Sequence, residues 1–575
     1  MSRCGRGTAS RCTRTYSGPT RPERFPVLLS RTPTGSSRRA ANPNGSNQFF
    51  ARYGYVTIMQ DVRGRFASEG EYEPIFQEIA DGYDAVEWAA RLPWANGRVG
   101  TCGQSYLGLT QYTIACNEAL PPSLQAMVPV SASSDHRESW VYHSGGAAMW
   151  GWMVPYAIFK GRNTLERAGR SDLLAQMDAY VEEATNFSQP TAAPECVPAH
   201  RPIADWVELL KEAAPYFGDH VAHPDDGPYW HRANLNRHAA TVNVPMLHVS
   251  SWYDIFAEGA VNAFRSIRER SQDARARETQ RLIMGPWGHL FPYVVPTSGG
   301  TGDIDFGPEA LVDLHETQLN WFDQYLKDDD TGVLDTAPVH VFVMGENRWR
   351  ALEDWPPPEA NPVRFYLHSN GNANSVAGDG TLSTVPPADE AADAYTYDPD
   401  DPVPTRGGAN LAIPLGVQDQ RPVEERQDVL VFTSEPLEQP LEVIGPVTVE
   451  LWASSSAPRT RTSRRSSSMY TRTGMPGNLL DGIIRARYRD SASDPSPIEP
   501  DRAYRYTIDL WNTANTFLPG HRIRLEISSS NFPRFDVNLN TGEPFGQGVT
   551  AQPARQTVYH RAGMASSVRL HVMPR

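Results

Sequence analysis

The sequence predicts an α/β domain interrupted by a helical insertion and followed by a separate β-rich domain. Three observations carry this. Short apolar runs alternate with helical patterns over residues 1–140 and again over 243–350, as in a parallel sheet with helices on both faces. Segments rich in Trp, Glu and Ala fill 141–242 and suspend that alternation. After Trp355-Pro356-Pro357-Pro358 helical patterns nearly vanish, and short β-rich runs separated by Gly, Pro and Asp take over.

Taken in order, 25–30 and 55–61 are apolar runs suited to buried strands, and 49–52 and 79–92 read as helices. Residues 98–103 form a third strand, with a helix expected from Tyr106. Further strands are expected at 244–250 and 281–284. In the tail, 363–368, 429–433, 447–452, 504–510 and 523–528 read as strands of a sandwich or jelly roll. The expected division is therefore a core of 1–140 and 243–350, a helical cap of 141–242 and a β domain of 351–575.

Composition excludes several classes. The chain has 575 residues and a net charge of −14, which is a poor match to nucleic-acid phosphates. No window approaches the roughly 18 apolar residues of a membrane span, so no membrane partner is expected. The arginine-bearing start has no apolar stretch behind it, which reads as cytoplasmic rather than secreted. Five cysteines without CxxC spacing indicate neither a disulfide framework nor a zinc site. Asp328-Asp329-Asp330 lacks calcium-loop spacing and reads as a turn.

The chemistry sits on three segments. Gly103-Gln104-Ser105-Tyr106-Leu107-Gly108 follows a strand and opens a helix, a turn that exposes a serine above a sheet edge. The usual elbow is G-x-S-x-G; here the second glycine comes one place later. Asp254 and His289 each lie just beyond an apolar strand, where α/β sheets carry functional groups. Their order, Ser, Asp, His, is that of α/β hydrolases. A serine becomes a nucleophile when an imidazole takes its proton and a carboxylate orients that imidazole. Trp150, Trp152 and Tyr156 in the cap are candidates for lining an acyl pocket.

At these residues the sequence resembles a family of serine hydrolases, the CocE/NonD type. It includes cocaine esterases, glutaryl-cephalosporin acylases, α-amino acid ester hydrolases and X-Pro dipeptidyl-peptidases. The likeness runs from Pro26 almost to the end. It is carried by Gln60-Asp61-Val62-Arg63-Gly64-Arg65, the G-x-S-Y-x-G elbow, Trp252-Tyr253-Asp254, Gly285-Pro286-Trp287-Gly288-His289 and Leu518-Pro519-Gly520-His521-Arg522. The resemblance implies Ser105 as nucleophile, His289 as base, Asp254 as its partner and the Tyr106 backbone N–H as an oxyanion donor. It places Phe256 in the acyl pocket. It implies an α/β-hydrolase core with a jelly roll, no cofactor and no metal. The implied substrate is a small ester, amide or short peptide; an X-Pro dipeptidyl-peptidase is the rival within the class, and the oligomeric state, homo-oligomer included, stays open.

One implied residue is missing. The family's second oxyanion donor is a tyrosine in an R-x-P-Y segment, and here that segment reads Arg31-Thr32-Pro33-Thr34-Gly35-Ser36. Threonine is too short to replace a phenol, so a catalytically impaired binding protein is the rival of another class. The genetic code offers a different account. Only Lys160, Lys211 and Lys327 are lysines, against 50 arginines, as in a G/C-rich gene. Tyr-Gly-Lys written TAC GGG AAG becomes Thr-Gly-Ser on loss of its first base. Residues 9–17 and 460–473 behave alike: one base earlier, the latter gives Asp-Thr-Asp-Phe-Thr-Ala-Lys-Leu-Val-Asp-Val-His-Pro-Asp, a strand-like run. We read all three stretches as locally displaced in frame.

Overall fold

The computed structural model describes residues 23–36, 46–175, 177, 203–289, 300–457 and 476–575. It also gives the backbone of short strands at Ser2–Arg3, Arg11–Cys12, Arg14–Ser17 and Arg464–Thr471. The remainder of 9–17 and 460–473 lies outside the described residues.

The core is a nine-stranded sheet of β1 (Arg14–Ser17), β2 (Phe25–Thr32), β3 (Val56–Asp61), β4 (Ala95–Gln104), β5 (Leu124–Val130), β6 (Leu247–Tyr253), β7 (Arg281–Gly288), β8 (Val339–Val343) and β9 (Arg348–Leu352). Their order across the sheet is β1-β3-β2-β4-β5-β6-β7-β8-β9. All pairings are parallel except β1–β3 and β8–β9 at the two edges. Seven of eight residues of β2 and all six of β3 are buried, which is why these strands read as continuous apolar runs and not as alternations. Helices α1 (Gln77–Ala90) and α2 (Tyr106–Ile114) pack against each other and against β4 on one face. Asp328 takes a left-handed turn and pairs with Arg98 at 2.7 Å.

Between β5 and β6 the chain leaves the sheet. It runs through α3 (Trp150–Ala168) and the shorter helices Ile203–Leu210 and Tyr216–Ala222 before returning. Within the β domain, β10 (Leu441–Ser455) and β13 (Tyr504–Phe517) form one long antiparallel pair with an irregularity at Pro446/Thr448. The backbone of β11 (Arg464–Thr471) takes an interior position, paired with β12 (Gly477–Arg485) on one side and β14 (Arg524–Ser528) on the other. Both partner strands are buried. Such a place calls for alternating apolar residues, whereas β11 as written supplies Arg-Arg-Ser-Ser-Ser before its first apolar residue. Among the described residues no helix is long and apolar enough to cross a membrane.

The β domain is fastened to the core through buried polar groups. Glu258, in the first turn of α4 (Ala257–Arg270), accepts hydrogen bonds from the Asn512 backbone N–H at 3.0 Å and from its side-chain amide at 2.8 and 2.9 Å. Asn512 in turn accepts the Trp355 indole N–H at 2.9 Å. Burial, reinforced by the Asp509 carboxyl, holds Glu258 above the usual carboxylate range.

The unfolded chain releases the Glu258 proton near about pH 4.3, the folded chain only at higher pH, so stability falls as pH rises through that window. Glu258→Gln should flatten this fall. Thermal unfolding at about pH 5 and about pH 8 should show a smaller Tm difference in the variant than in the wild type. Equal differences would contradict the assignment.

Candidate active site

The elbow is built by steric necessity. Ser105 has φ 64° and ψ −128°, a conformation that costs a non-glycine residue roughly 1–3 kcal/mol and persists only where the surroundings enforce it. Its N–H donates to the Val130 carbonyl at the end of β5 (2.9 Å), and its own carbonyl accepts from Gly108 and Leu109 (2.8 and 2.9 Å). A Cβ on Gly103 would stand 2.4 Å from the Leu107 Cβ, and one on Gly108 2.8 Å from both the Ala132 Cβ and the Val130 carbonyl oxygen. The late second glycine is thus explained: position 107 packs down on Gly103, and position 108 is where α2 presses against the end of β5.

Tyr106 is anchored behind the elbow. Its phenol donates to Glu78 Oε1 at 2.9 Å and accepts from the Ile75 N–H at 3.2 Å. Glu78 also pairs with Arg31 at 2.6 Å; both are almost fully buried. Burial pushes Glu78 up, and the Arg31 charge opposes that shift. One carboxylate therefore ties α1, the elbow and the Arg31–Ser36 segment together.

Asp254 and His289 meet at the ends of adjacent strands β6 and β7. His289 Nδ1 lies 3.2 Å from both Asp254 oxygens, with 4% and 0% of the two residues exposed. Asp254 Oδ1 also accepts the Phe256 N–H at 2.7 Å. The Gln104 side-chain amide donates to the His289 carbonyl, which links the histidine to the residue preceding Ser105. Ser105 Oγ itself makes no hydrogen bond among the described residues, a common state before substrate binds. The main chain of Asp254 forms a parallel bridge with Asn410 of the β domain.

Beside His289 stands an aromatic wall. Phe256 meets the His289 ring edge-on at 5.4 Å and stacks on Trp140 at 5.0 Å and 7°. Trp152 and Tyr156 close on Trp140 at 5.4 and 5.1 Å. Trp150, singled out with Trp152, has Trp206 as its ring neighbour (6.2 Å), on the far side of α3. Sequence reasoning missed Trp140, which lies in a five-residue π-helical turn, and Gln104 and Asn410, whose roles are set by main-chain contacts.

Thr34 is half-buried, with its hydroxyl 2.8 Å from that of Thr32. Ser36 donates from its N–H and hydroxyl to the buried Asp61 carboxylate at 2.5 and 3.0 Å. Among the described residues no group of three or more His, Cys, Asp or Glu is placed to hold a metal.

This fold and site define a serine hydrolase of the α/β type, an esterase or acylase with a β-rich domain behind it. Residues 15–291 match the X-Pro dipeptidyl-peptidase (S15 family), and 331–569 match the X-Pro dipeptidyl-peptidase C-terminal non-catalytic domain. The cocaine esterase of Rhodococcus sp. (strain MB1 Bresler) is 36% identical over 532 residues, 90% of this chain and 88% of that protein. Two solved structures share 25% identity and a TM-score of 0.79 over 98% of this chain: an α-amino acid ester hydrolase, covered to 94%, and an aminopeptidase from the marine sediment archaeon Thaumarchaeota archaeon, covered to 95%. The chain belongs to the CocE/NonD-type serine hydrolases.

The packing at the elbow gives a direct check. Gly108→Ala should push α2 away from β5 and cost about 1–3 kcal/mol, the usual price of overpacking. Thermal unfolding should show a lowered Tm, and labelling of Ser105 by a fluorophosphonate should slow. An unchanged Tm would mean that α2 can move without strain.

Proposed function

We propose that Ser105, His289 and Asp254 form the catalytic triad and that the substrate is a carboxylic ester with a flat, apolar acyl group. The observation that carries the reading is the buried Asp254–His289 pair at the ends of β6 and β7, joined through Gln104 to the elbow. Ser105 Oγ attacks the carbonyl carbon as His289 Nε2 takes its proton. Asp254 holds the Nδ1 proton and balances the imidazolium charge. The tetrahedral oxyanion accepts the Tyr106 backbone N–H. Collapse leaves the acyl group on Ser105, while His289 protonates the departing alcohol. Water, activated by the same imidazole, then releases the acid.

The preference for an ester over an X-Pro amide is supported by the wall of Trp140, Trp152 and Phe256 beside His289. Stacked and edge-on rings suit a planar acyl group. Ser105→Ala should remove nearly all turnover and leave Tm almost unchanged, because the half-buried side chain sits at a turn and makes no hydrogen bond among the described residues. In the parent enzyme a panel of aryl esters should be hydrolysed faster than Xaa-Pro anilides. Faster cleavage of the anilides would replace the ester reading with the dipeptidyl-peptidase one, and substantial turnover by Ser105→Ala would remove this serine from the mechanism.

Thr34 occupies the place of the second oxyanion donor, and its frame-restored form is tyrosine. Restoring Ser36 to lysine would set an ammonium against Asp61, a buried carboxylate that burial raises and that is served here by hydroxyl and N–H donors of Ser36. The double change Thr34→Tyr/Ser36→Lys should raise kcat by about 10²–10³ with little change in KM, since an oxyanion donor acts on charge developed in the transition state. Steady-state kinetics on one aryl ester reads this directly. An unchanged kcat would show that position 34 plays no such part.

A further inference from the structure

His289 stands at the end of an overhang. Gln104 on β4 is level with Val130 on β5, Val130 with Val249 on β6, and Val249 with Ile283 on β7. His289 lies six residues beyond Ile283, about 20 Å of extended chain at about 3.3 Å per residue. β4 and β7 are also three strand steps apart, about 14 Å in a flat sheet. Yet the Gln104 side-chain amide donates to the His289 carbonyl. Sheet twist accounts for the contact. Three steps of roughly 20–25° turn β7 by about 60–75° against β4, so the overhang runs across the sheet edge and not along β4.

The overhang is pinned at successive carbonyls. The Thr301 hydroxyl donates to Pro286 at 2.9 Å, and the Ser251 hydroxyl donates to Gly288 at 3.2 Å. Between them the Trp287 indole N–H donates to the Ala310 carbonyl at 2.8 Å. The His289 carbonyl is next in the row, and its donor is Gln104. The ring above it is held less firmly. Its Nδ1 lies 3.2 Å from both Asp254 oxygens, at the long end of the N–H···O range. One proton shared between two oxygens at that distance leaves the tilt of the imidazole loosely set. Phe256 bounds the ring edge-on at 5.4 Å but makes no directional bond with it. The main chain beneath the ring therefore has to fix its place. Position 104 is the open x of the G-x-S-Y-x-G elbow, so the turn itself does not call for glutamine.

We infer that Gln104 is a positioning residue for the hydrolysis. Its amide sets the His289 main chain at a fixed distance from Ser105, the next residue along, so that Nε2 is in place to take the Oγ proton. Gln104 touches no reacting atom and acts through the histidine. The inference rests on the triad proposed above.

Two variants of the full-length protein test it, with steady-state kinetics on one aryl ester across pH. Gln104→Met keeps the length of the side chain and removes the donor. Its kcat should fall about tenfold to a hundredfold with KM within about twofold of the parent's, because a displaced base slows proton transfer and leaves ester binding alone. Gln104→Glu keeps the shape and sets a second carboxylate, after Asp254, near the imidazole. That charge favours the protonated base, so the acid limb of kcat/KM should move up by about one pH unit, and should not move in Gln104→Met. A residue that only fills space would produce neither the split between kcat and KM nor the shifted limb. An unchanged kcat in Gln104→Met, or a raised KM in place of a lowered kcat, would overturn the inference. So would an unmoved limb in Gln104→Glu, which still decides if Gln104→Met fails to fold. Ser105→Ala is run alongside. Turnover retained there sinks the triad itself, whereas a dead Ser105→Ala beside an unimpaired Gln104→Met sinks only the role given to Gln104.

Discussion

The positive φ of Ser105 is the constraint on which the neighbouring sequence depends. A left-handed serine between a strand and a helix is unfavourable by itself, and nothing local to the residue offsets it. The offset comes from the hydrogen bond to Val130, from two glycines that let Leu107 and the end of β5 approach, and from a helix that starts at the next residue. Behind it, Glu78 fixes the ring of Tyr106 and so fixes the direction of the backbone N–H that follows Ser105. A carboxylate so deeply buried is retained because Arg31 and Tyr106 reach it from distant parts of the chain and Gln77 from the position beside it. The same arginine opens the segment that ends at Ser36. Both sides of the proposed oxyanion site thus hang on one ion pair.

The second constraint is the position of the acid. Asp254 lies at the end of a strand, but its orientation is set by three contacts from different levels. The Phe256 N–H holds one oxygen, His289 faces both, and the main chain bridges to Asn410. Two residues further on, Phe256 turns its ring to the histidine, and four residues on, Glu258 locks the start of α4 to the β domain. Five consecutive residues therefore supply a charge, a ring beside His289 and an interdomain fastening. This compression is why the stretch from Trp252 to Glu258 is almost wholly buried.

The strands most legible in the sequence were those buried along almost their whole length, β2, β3, β6 and β7, where an apolar run admits few alternatives. The Asp254 and His289 candidates were legible because each follows such a strand, and Ser105 because glycines flank its turn. Strand β5 was not: Pro129 near its end, and glutamine among its first residues, mask it, though it pairs with both β4 and β6. The edge pair β8 and β9 was likewise missed, β9 being only partly buried, with two arginines among its five residues. Trp140 escaped notice because a π-helical turn has neither of the two common periodicities. Trp150 and Trp152 are two residues apart on a helix, so they face in different directions, and only the second reaches the aromatic wall.

The bridge between Asp254 and Asn410 has a bearing on how such a protein can be divided. Tyr253, next to the acid, donates to the carbonyl of Asn478, and Asn478 lies on β12, directly beside β11. A disturbance of the β11 segment is therefore separated from the proposed catalytic carboxylate by one strand and one hydrogen bond, although more than 200 residues of chain lie between them. The β domain thus supplies one of the three contacts that orient Asp254. A gene encoding the hydrolase core by itself would leave Asp254 its contacts with Phe256 and His289 but remove the Asn410 bridge and the Asn512 hydrogen bonds to Glu258. On one chain these contacts form without the loss of translational and rotational freedom that joining two separate chains would cost.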